Sequence, residues 1–274
     1  MTRLVKGSSA AARHARERLG AALEGLEGWL LPEEAEALFE SALRAARTRR
    51  GATVVEIGSW KGRSTVALAL GVREGGTGTV YAVDPFAGTD LHSALGQTDT
   101  FGDFLRAIDS RGVGDLVQPI RSTAHQARPR FADGSIDLLF VDGAHDFDSV
   151  LLDIDDWTTA LRPGAVIAFN DFQWPGVHAA LRARVLCRGA PFRRPRLHRN
   201  TLLLSFHPGA RWTSLDSCRL AALRTTIRLR SLAFVLATPA TPGSPARAVS
   251  PGRLLPRPLL RAGRRLSERL VNAF

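Results

Sequence analysis

A chain of 274 residues, 45% of them hydrophobic, is long enough for one domain of ordinary size with a sizeable core and an appendage. Its two cysteines, Cys187 and Cys218, form no Cys-x-x-Cys pair and no Cys/His cluster, which argues against a disulfide framework and a structural zinc site and makes a reducing cytoplasm the expected setting. The net charge of +11 divides unevenly: residues 1–180 carry 18 basic against 24 acidic residues, a net −6, whereas residues 181–274 carry 19 arginines against two acids, a net +17, so the body suits a cationic ligand and the last third a polyanionic surface.

Residues 1–50 read as an N-terminal helical region, rich in Ala, Leu, Glu and Arg. The first thirty lack the apolar stretch of a signal peptide. No run of eighteen apolar residues occurs anywhere, so no membrane-spanning helix is expected. Pro32-Glu33-Glu34 is a helix start, with proline at the first position and acids in the first turn. Ala35, Leu38, Phe39, Ala42, Leu43 and Ala46 then follow helical spacing.

From residue 51 to 207 the pattern alternates. Strands are expected at Thr53–Ile57, Thr79–Val83, Leu116–Ile120, Ile136–Val141, Ala165–Phe169 and Thr201–Phe206. Helices are expected at Ser64–Leu70, Thr100–Ser110, Phe147–Ala160 and Gly176–Val185. Such alternation implies βαβ units, and so an α/β fold with a mostly parallel, doubly wound sheet. The loop Phe86–Thr100 shows no periodicity and has the length of a lid.

Residues 208–274 form a basic extension. Ser214–Ala237 is rich in Leu, Ala and Arg, and Thr238–Pro256 has the composition of a disordered linker. Pro258–Phe274 sets Leu259, Leu260, Leu266, Leu270 and Val271 against Arg261, Arg264, Arg265 and Arg269, the pattern of a basic amphipathic helix. Peripheral membrane contact is one reading of this extension; a merely solvated one is another. Nucleic-acid binding is disfavoured, because Trp212, Phe234 and Phe274 are the only aromatics past Phe206.

The first chemical motif is Val54-Val-Glu56-Ile-Gly58-Ser59-Trp-Lys-Gly62-Arg-Ser64-Thr. A strand enters a turn with glycines at 58 and 62, and a helix follows. Glycine lets backbone approach a ligand closely, and a helix start offers free N–H groups to an anion. A dinucleotide site would need G-x-G-x-x-G, and the middle glycine is missing. The Glu-x-Gly-x-x-x-Gly arrangement resembles the first motif of class I S-adenosylmethionine-dependent methyltransferases. The resemblance implies that the loop from Glu56 through Gly58, Ser59 and Gly62 holds the methionine moiety, with Ser64 near its carboxylate. Asp84, ending the second strand before Pro85, would accept the ribose hydroxyls. Ser122 and Thr123, after the third strand, would lie beside the adenine.

The second motif pairs Val141-Asp142-Gly-Ala-His145 with Leu161-Arg-Pro-Gly-Ala-Val-Ile-Ala-Phe-Asn170-Asp171-Phe. Each is a strand ending in polar residues, and ligands in open α/β sheets bind off such ends. Asp142, His145, Asn170 and Asp171 are therefore expected on the same rim as Gly58 and Asp84. Both phrases resemble the family 24 type of methyltransferase, which includes many small-molecule O-methyltransferases. That likeness implies a Rossmann-like, seven-stranded sheet, S-adenosyl-L-methionine as cofactor and a sugar or natural-product hydroxyl as acceptor. In catechol-type O-methyltransferases an Asp ends the fourth strand, a Lys follows three residues on, and an Asp-Asn pair ends the fifth. Here Asp142 matches the Asp and also falls among the cofactor contacts, His145 replaces the Lys, and Asn170-Asp171 reverses the pair. Two readings stay open: His145 as proton acceptor, imidazole being suited to that task at neutral pH, and a Mg²⁺ held by Asp142, Asn170 and Asp171. Trp174 is placed to wall an acceptor pocket.

An NAD(P)-dependent oxidoreductase is the alternative enzyme class. It lacks its glycine loop and its Tyr-x-x-x-Lys pair, Tyr81 being the only tyrosine. A non-catalytic, cofactor-binding module and a homo-oligomer both remain open.

Overall fold

The computed structural model describes residues 14–88 and 99–237. The lid expected at Phe86–Thr100 falls largely outside these residues, and the linker Thr238–Pro256 and the helix Pro258–Phe274 fall wholly outside them. Seven strands form one sheet in the order β3-β2-β1-β4-β5-β7-β6. They are β1 (Ala52–Ile57), β2 (Gly78–Asp84), β3 (Val117–Arg121), β4 (Ile136–Val141), β5 (Leu161–Phe169), β6 (Phe192–His198) and β7 (Thr201–Phe206). The sheet is mixed: β1–β2 and β2–β3 pair parallel, and β7 is antiparallel to both β5 and β6. No helix among the described residues is long and apolar enough to cross a membrane.

By packing, the described residues form two compact units, 14–88 and 99–127 with 136–138, and 128–135 with 139–237. In the first, helix α1 (14–23) is followed by α2 (Pro32–Thr48). Pro32 opens α2, and Glu34, almost wholly buried, reaches back to accept the Leu31 N–H at 2.8 Å. Its apolar stripe of Ala35, Leu38, Phe39, Ala42 and Ala46 is buried and packs on α3 (Arg63–Gly75). The approach is close because two residues of α3 have no side chain: a Cβ on Gly71 would lie 2.3 Å from the Phe39 carbonyl oxygen, and one on Gly75 2.4 Å from that of Leu43. Helix α4 (Phe101–Ser110) buries Phe104, Ala107 and Ile108, and α5 (Ala124–Ala127) is a single turn after β3.

In the second unit, α6 (Phe147–Trp157) packs against α7 (Pro175–Arg184). Strand β6 was not among the expected strands. It reads Phe-Arg-Arg-Pro-Arg-Leu-His, lies at the sheet edge and carries a bulge between Arg193 and Arg196. Pro195 lacks a ladder donor, which an edge or bulge position tolerates. Helix α8 (Ser214–Ala237) covers β6 and α7, burying Leu223 and Ile227.

Candidate active site

In the first unit, β1 and β2 run in register, Ile57 opposite Val83, so both end on one rim. The chain leaves β1 through Gly58 at φ 85° and re-enters helix at Gly62 at φ 87°, backbone that glycine adopts without strain. Trp60, between them, also has positive φ, at 43°. Helix α3 then starts at Gly62 with no side-chain cap, leaving first-turn N–H groups for an external acceptor. A Cβ on Gly62 would sit 3.1 Å from the Phe104 ring.

Asp84 holds this turn. Its Oδ2 accepts the N–H groups of Ser59 and Trp60, each at 2.8 Å, and its Oδ1 accepts that of Phe86 at 2.5 Å. A carboxylate has about four acceptor sites. Three are spent on the loop, so one is left where gripping both ribose hydroxyls would need two. Ser122 joins the rim through its N–H to the Asp84 carbonyl oxygen at 3.2 Å. Thr123 caps α5, its hydroxyl accepting the Gln126 N–H at 3.3 Å.

Glu56 lies beneath the turn, fully buried. Burial pushes its carboxyl up from 4.5 to about 7, against the hydroxyls of Ser64, Thr65 and Ser59, which favour the ionised form, and with the nearby Asp84 charge adding to the rise. Thr65 donates a short hydrogen bond to Oε2, and Oε1 is buried with no hydrogen-bond partner among the described residues. Ser59 and Ser64 are buried beside it.

Sequence reasoning passed over the strap that braces this turn from outside. Arg63 donates to the carbonyl oxygens of Leu23, Leu26 and Leu30 at 2.9, 2.7 and 3.2 Å. Lys61 pairs with Glu27 at 2.8 Å, and Trp60 packs on Trp29 with centroids 4.6 Å apart. The only sequence signal is Gly28, at φ 142°, where a Cβ would meet Arg63 Cδ at 2.9 Å.

In the second unit, Asp142 and Asn170 end β4 and β5. Asn170 N–H donates to the Val141 carbonyl oxygen at 3.0 Å. The Asn170 amide donates to Asp142 Oδ1 at 3.1 Å, and its oxygen accepts the Thr201 hydroxyl at 2.8 Å. His145 Nε2 lies 3.3 Å from Asp171 Oδ2, and the other Asp171 oxygen accepts from Gln173 at 3.0 Å. Asp171 adopts φ 49°, a strained conformation for a residue other than glycine. Trp174 lies against the His145 imidazole, centroids 5.0 Å apart. Gly176 lets α7 begin against the loop, since a Cβ there would lie 2.3 Å from the His145 carbonyl oxygen. Asp146 accepts the Ser149 N–H at 2.9 Å as the cap of α6, which lowers its carboxyl below the usual range.

One ligand atom each from Asp142, His145 and Asp171 falls within 4.8 Å of the others. Asn170, the third residue expected at a metal site with Asp142 and Asp171, lies beside them with its oxygen accepting from Thr201 at 2.8 Å. The sequence-predicted residues thus gather in two sets. Glu56, Gly58, Ser59, Gly62, Ser64, Asp84 and Ser122 surround one turn, with Thr123 turned to its helix cap; Asp142, His145, Asn170 and Asp171 form the other. Thr201 and Gln173, which orient the second set, carried no local signal.

Residues 55–172 match the family described as “Methyltransferase domain”. Among curated proteins, y4gI of Sinorhizobium fredii (strain NBRC 101917 / NGR234), described as uncharacterized, is 29% identical over 130 residues, which are 47% of this chain and 14% of that protein. This chain therefore spans only a small part of that relative's length. Among solved structures, the O-methyltransferase NovP superposes with a TM-score of 0.54 at 14% identity, covering 64% of this chain and 80% of that one. TomG, an O-methyltransferase from Streptomyces achromogenes solved in complex with SAM, gives a TM-score of 0.47 at 17% identity, covering 71% of this chain and 90% of that one.

Proposed function

We propose that this chain is a class I S-adenosylmethionine-dependent methyltransferase, a reading supported by the match of residues 55–172 to a methyltransferase domain, and that it methylates a hydroxyl oxygen of a small molecule, a sugar or another natural product, with His145 taking the proton. The cofactor supplies an electrophilic methyl carbon on a sulfonium sulfur. The first residue set fits it on three counts: the uncapped start of α3 faces an anion such as the methionine carboxylate, Glu56 Oε1 offers a buried acceptor, and Asp84 keeps one acceptor site.

The observation that carries the reading is the His145–Asp171 pair. With Nε2 3.3 Å from Asp171 Oδ2, an imidazole carrying its proton on Nε2 would face the carboxylate and keep the Nδ1 lone pair for the acceptor hydroxyl. Nδ1 then accepts the hydroxyl proton as the oxygen forms its bond to the methyl carbon and the carbon–sulfur bond breaks. Asp171 steadies the imidazolium that results, itself held by Gln173. Trp174 limits the motion of the ring from one side. Fixed alignment of acceptor oxygen and methyl carbon contributes about 7–11 kcal/mol to such reactions, and a well-placed base a further ~10²–10⁴-fold.

The cluster within 4.8 Å supports a second reading, in which Asp142, Asp171 and His145 hold a divalent cation. Such an ion would supply Lewis acidity toward the acceptor hydroxyl. The imidazole nitrogen makes the set better suited to Mn²⁺ or Zn²⁺ than to Mg²⁺ alone.

Calorimetry with S-adenosylmethionine on the wild type and Gly58→Val tests the first set: affinity is expected in the former and lost in the latter. Methyl transfer to a panel of hydroxylated sugars and phenols, with chelator or added Mg²⁺ or Mn²⁺, tests the second. His145→Ala is expected to lower turnover at least ~100-fold while keeping cofactor affinity. Loss of turnover on chelation, restored by one metal, selects the cation reading. Cofactor binding without transfer to any acceptor, unchanged by His145→Ala, would mean a non-catalytic module.

A further inference from the structure

Helix α8 (Ser214–Ala237) presents two unlike faces. Its inner face buries Leu223, Thr226, Ile227, Arg230 and Ser231 against the rest of its unit. Its outer face carries Leu215, Cys218, Ala221, Thr225, Leu229 and Leu232, all exposed. Each follows the one before by three or four residues, so they form one stripe along the helix. Leu215, Leu229 and Leu232 are 50%, 60% and 52% exposed, which is costly for leucine in water. Arg224 and Arg228, also exposed and one turn apart, border the stripe, Arg228 on the surface and Arg224 with its Nε donating to the Leu186 carbonyl oxygen at 2.6 Å while the residue as a whole stays exposed.

We propose that this outer face of α8 is a docking surface for an anionic lipid bilayer, with the leucine stripe entering the interface and the flanking arginines meeting the headgroups. Charge decides among occupants. The sequence after α8, residues 238–274, holds seven arginines against the single acid Glu268, so it repels the arginine border rather than complementing it. A second copy would bring the same basic surface. An anionic partner complements both the border and the following sequence, and an apolar stripe distinguishes a bilayer from a nucleic acid, whose phosphates offer leucine nothing. Juxtaposed apolar and basic elements are the two signals that stable peripheral binding requires. The inference is independent of the methyl-transfer reading.

Flotation of the full chain with phosphatidylcholine vesicles, and with vesicles containing one-third phosphatidylglycerol, tests it. Binding is expected to the anionic vesicles alone and to weaken severalfold between 0.1 and 0.5 M salt. Leu229→Ser/Leu232→Ser and Arg224→Ala/Arg228→Ala are each expected to weaken it by roughly tenfold or more. All four positions are exposed, but Arg224 also ties α8 to Leu186, so an unchanged circular dichroism spectrum and melting temperature serve as the folding control, and Arg228→Ala alone is measured beside the arginine pair. Equal binding to neutral vesicles overturns the proposal, as does anionic binding that neither double variant weakens, which would assign it to residues 238–274 alone. Leucine variants that change only the oligomeric state in sizing columns also overturn it, in favour of a second copy. Competition by single-stranded DNA that persists in both double variants would place a nucleic acid elsewhere on the tail and refute the lipid assignment.

Discussion

Asp84 shows how one side chain organises a ligand site before any ligand arrives. Its three backbone bonds to residues 59, 60 and 86 fix a turn whose two glycines have positive φ. Removing it orphans three N–H groups, each costing about 1 kcal/mol or more when poorly solvated. Asp84→Ala is therefore expected to lose on the order of 2–3 kcal/mol of stability in denaturant titrations and at least tenfold in cofactor affinity by calorimetry. Asp84→Asn, which keeps one acceptor oxygen, should fall between. Asp153 works in the opposite sense. It is buried in α6, and burial first, then the charges of Asp156 and Asp146, push its carboxyl from 3.8 up to about 7. A carboxyl whose folded pKa is raised favours the folded state most below its unfolded pKa; the advantage is lost as pH rises toward the folded value. Wild-type stability should decline between about pH 4 and 7 for this reason. Asp153→Asn should flatten that decline, and thermal melts at pH 3.5, pH 5 and pH 8 would show it as a variant whose gain over the wild type is smallest at pH 3.5 and largest at pH 8. Glu56 adds a contribution of the same sign over a similar window.

Elements were legible where local pattern and tertiary context agreed. Strand β4 falls on Ile136–Val141 as its short run of apolar residues around Asp137 predicts, and α2 begins at Pro32 as its proline and acids predict. Strand β6 was invisible because Phe192–His198 holds three arginines and a proline. Its β structure comes from pairing with β7, while Arg193 buries its guanidinium against the carbonyl oxygens of Ala190, Phe192 and Ala210. Ala190, Phe192 and β7 lie close by in the sequence, but the charge of the segment hides the pairing, and Ala210 is 17 residues away. The α2–α3 contact is equally hidden, because Gly71 and Gly75 look like weak points within a helix yet permit the close approach of Phe39 and Leu43. Gly71→Ala should push the helices apart despite the higher helix propensity of alanine. A loss of about 2 kcal/mol or more, read from chemical denaturation, is the expected result; a gain in stability would show that the contact yields.

Across the whole molecule, the division of charge and the alternation of strands and helices were set by the order of residues. A net −6 over residues 1–180 and +17 over residues 181–274 needs no fold to be counted. The α/β class followed from periodicity, and the glycine spacing after β1 excluded a dinucleotide loop, because both are local properties of contiguous residues. Which donors meet which acceptors was decided by tertiary structure. Asp84 and the 58–62 turn are joined across two parallel strands, His145 and Asp171 across a strand, a helix and two loops, and Asn170 is held by Thr201 from β7. The outer stripe of α8 was likewise unreadable as a surface until Leu223 and Ile227 were seen to be buried, since a helix rich in leucine all round does not reveal which leucines face water. Sequence dictates what is written within a few residues of backbone; folding alone decides the pairing of side chains whose separation along the chain exceeds the reach of any local rule.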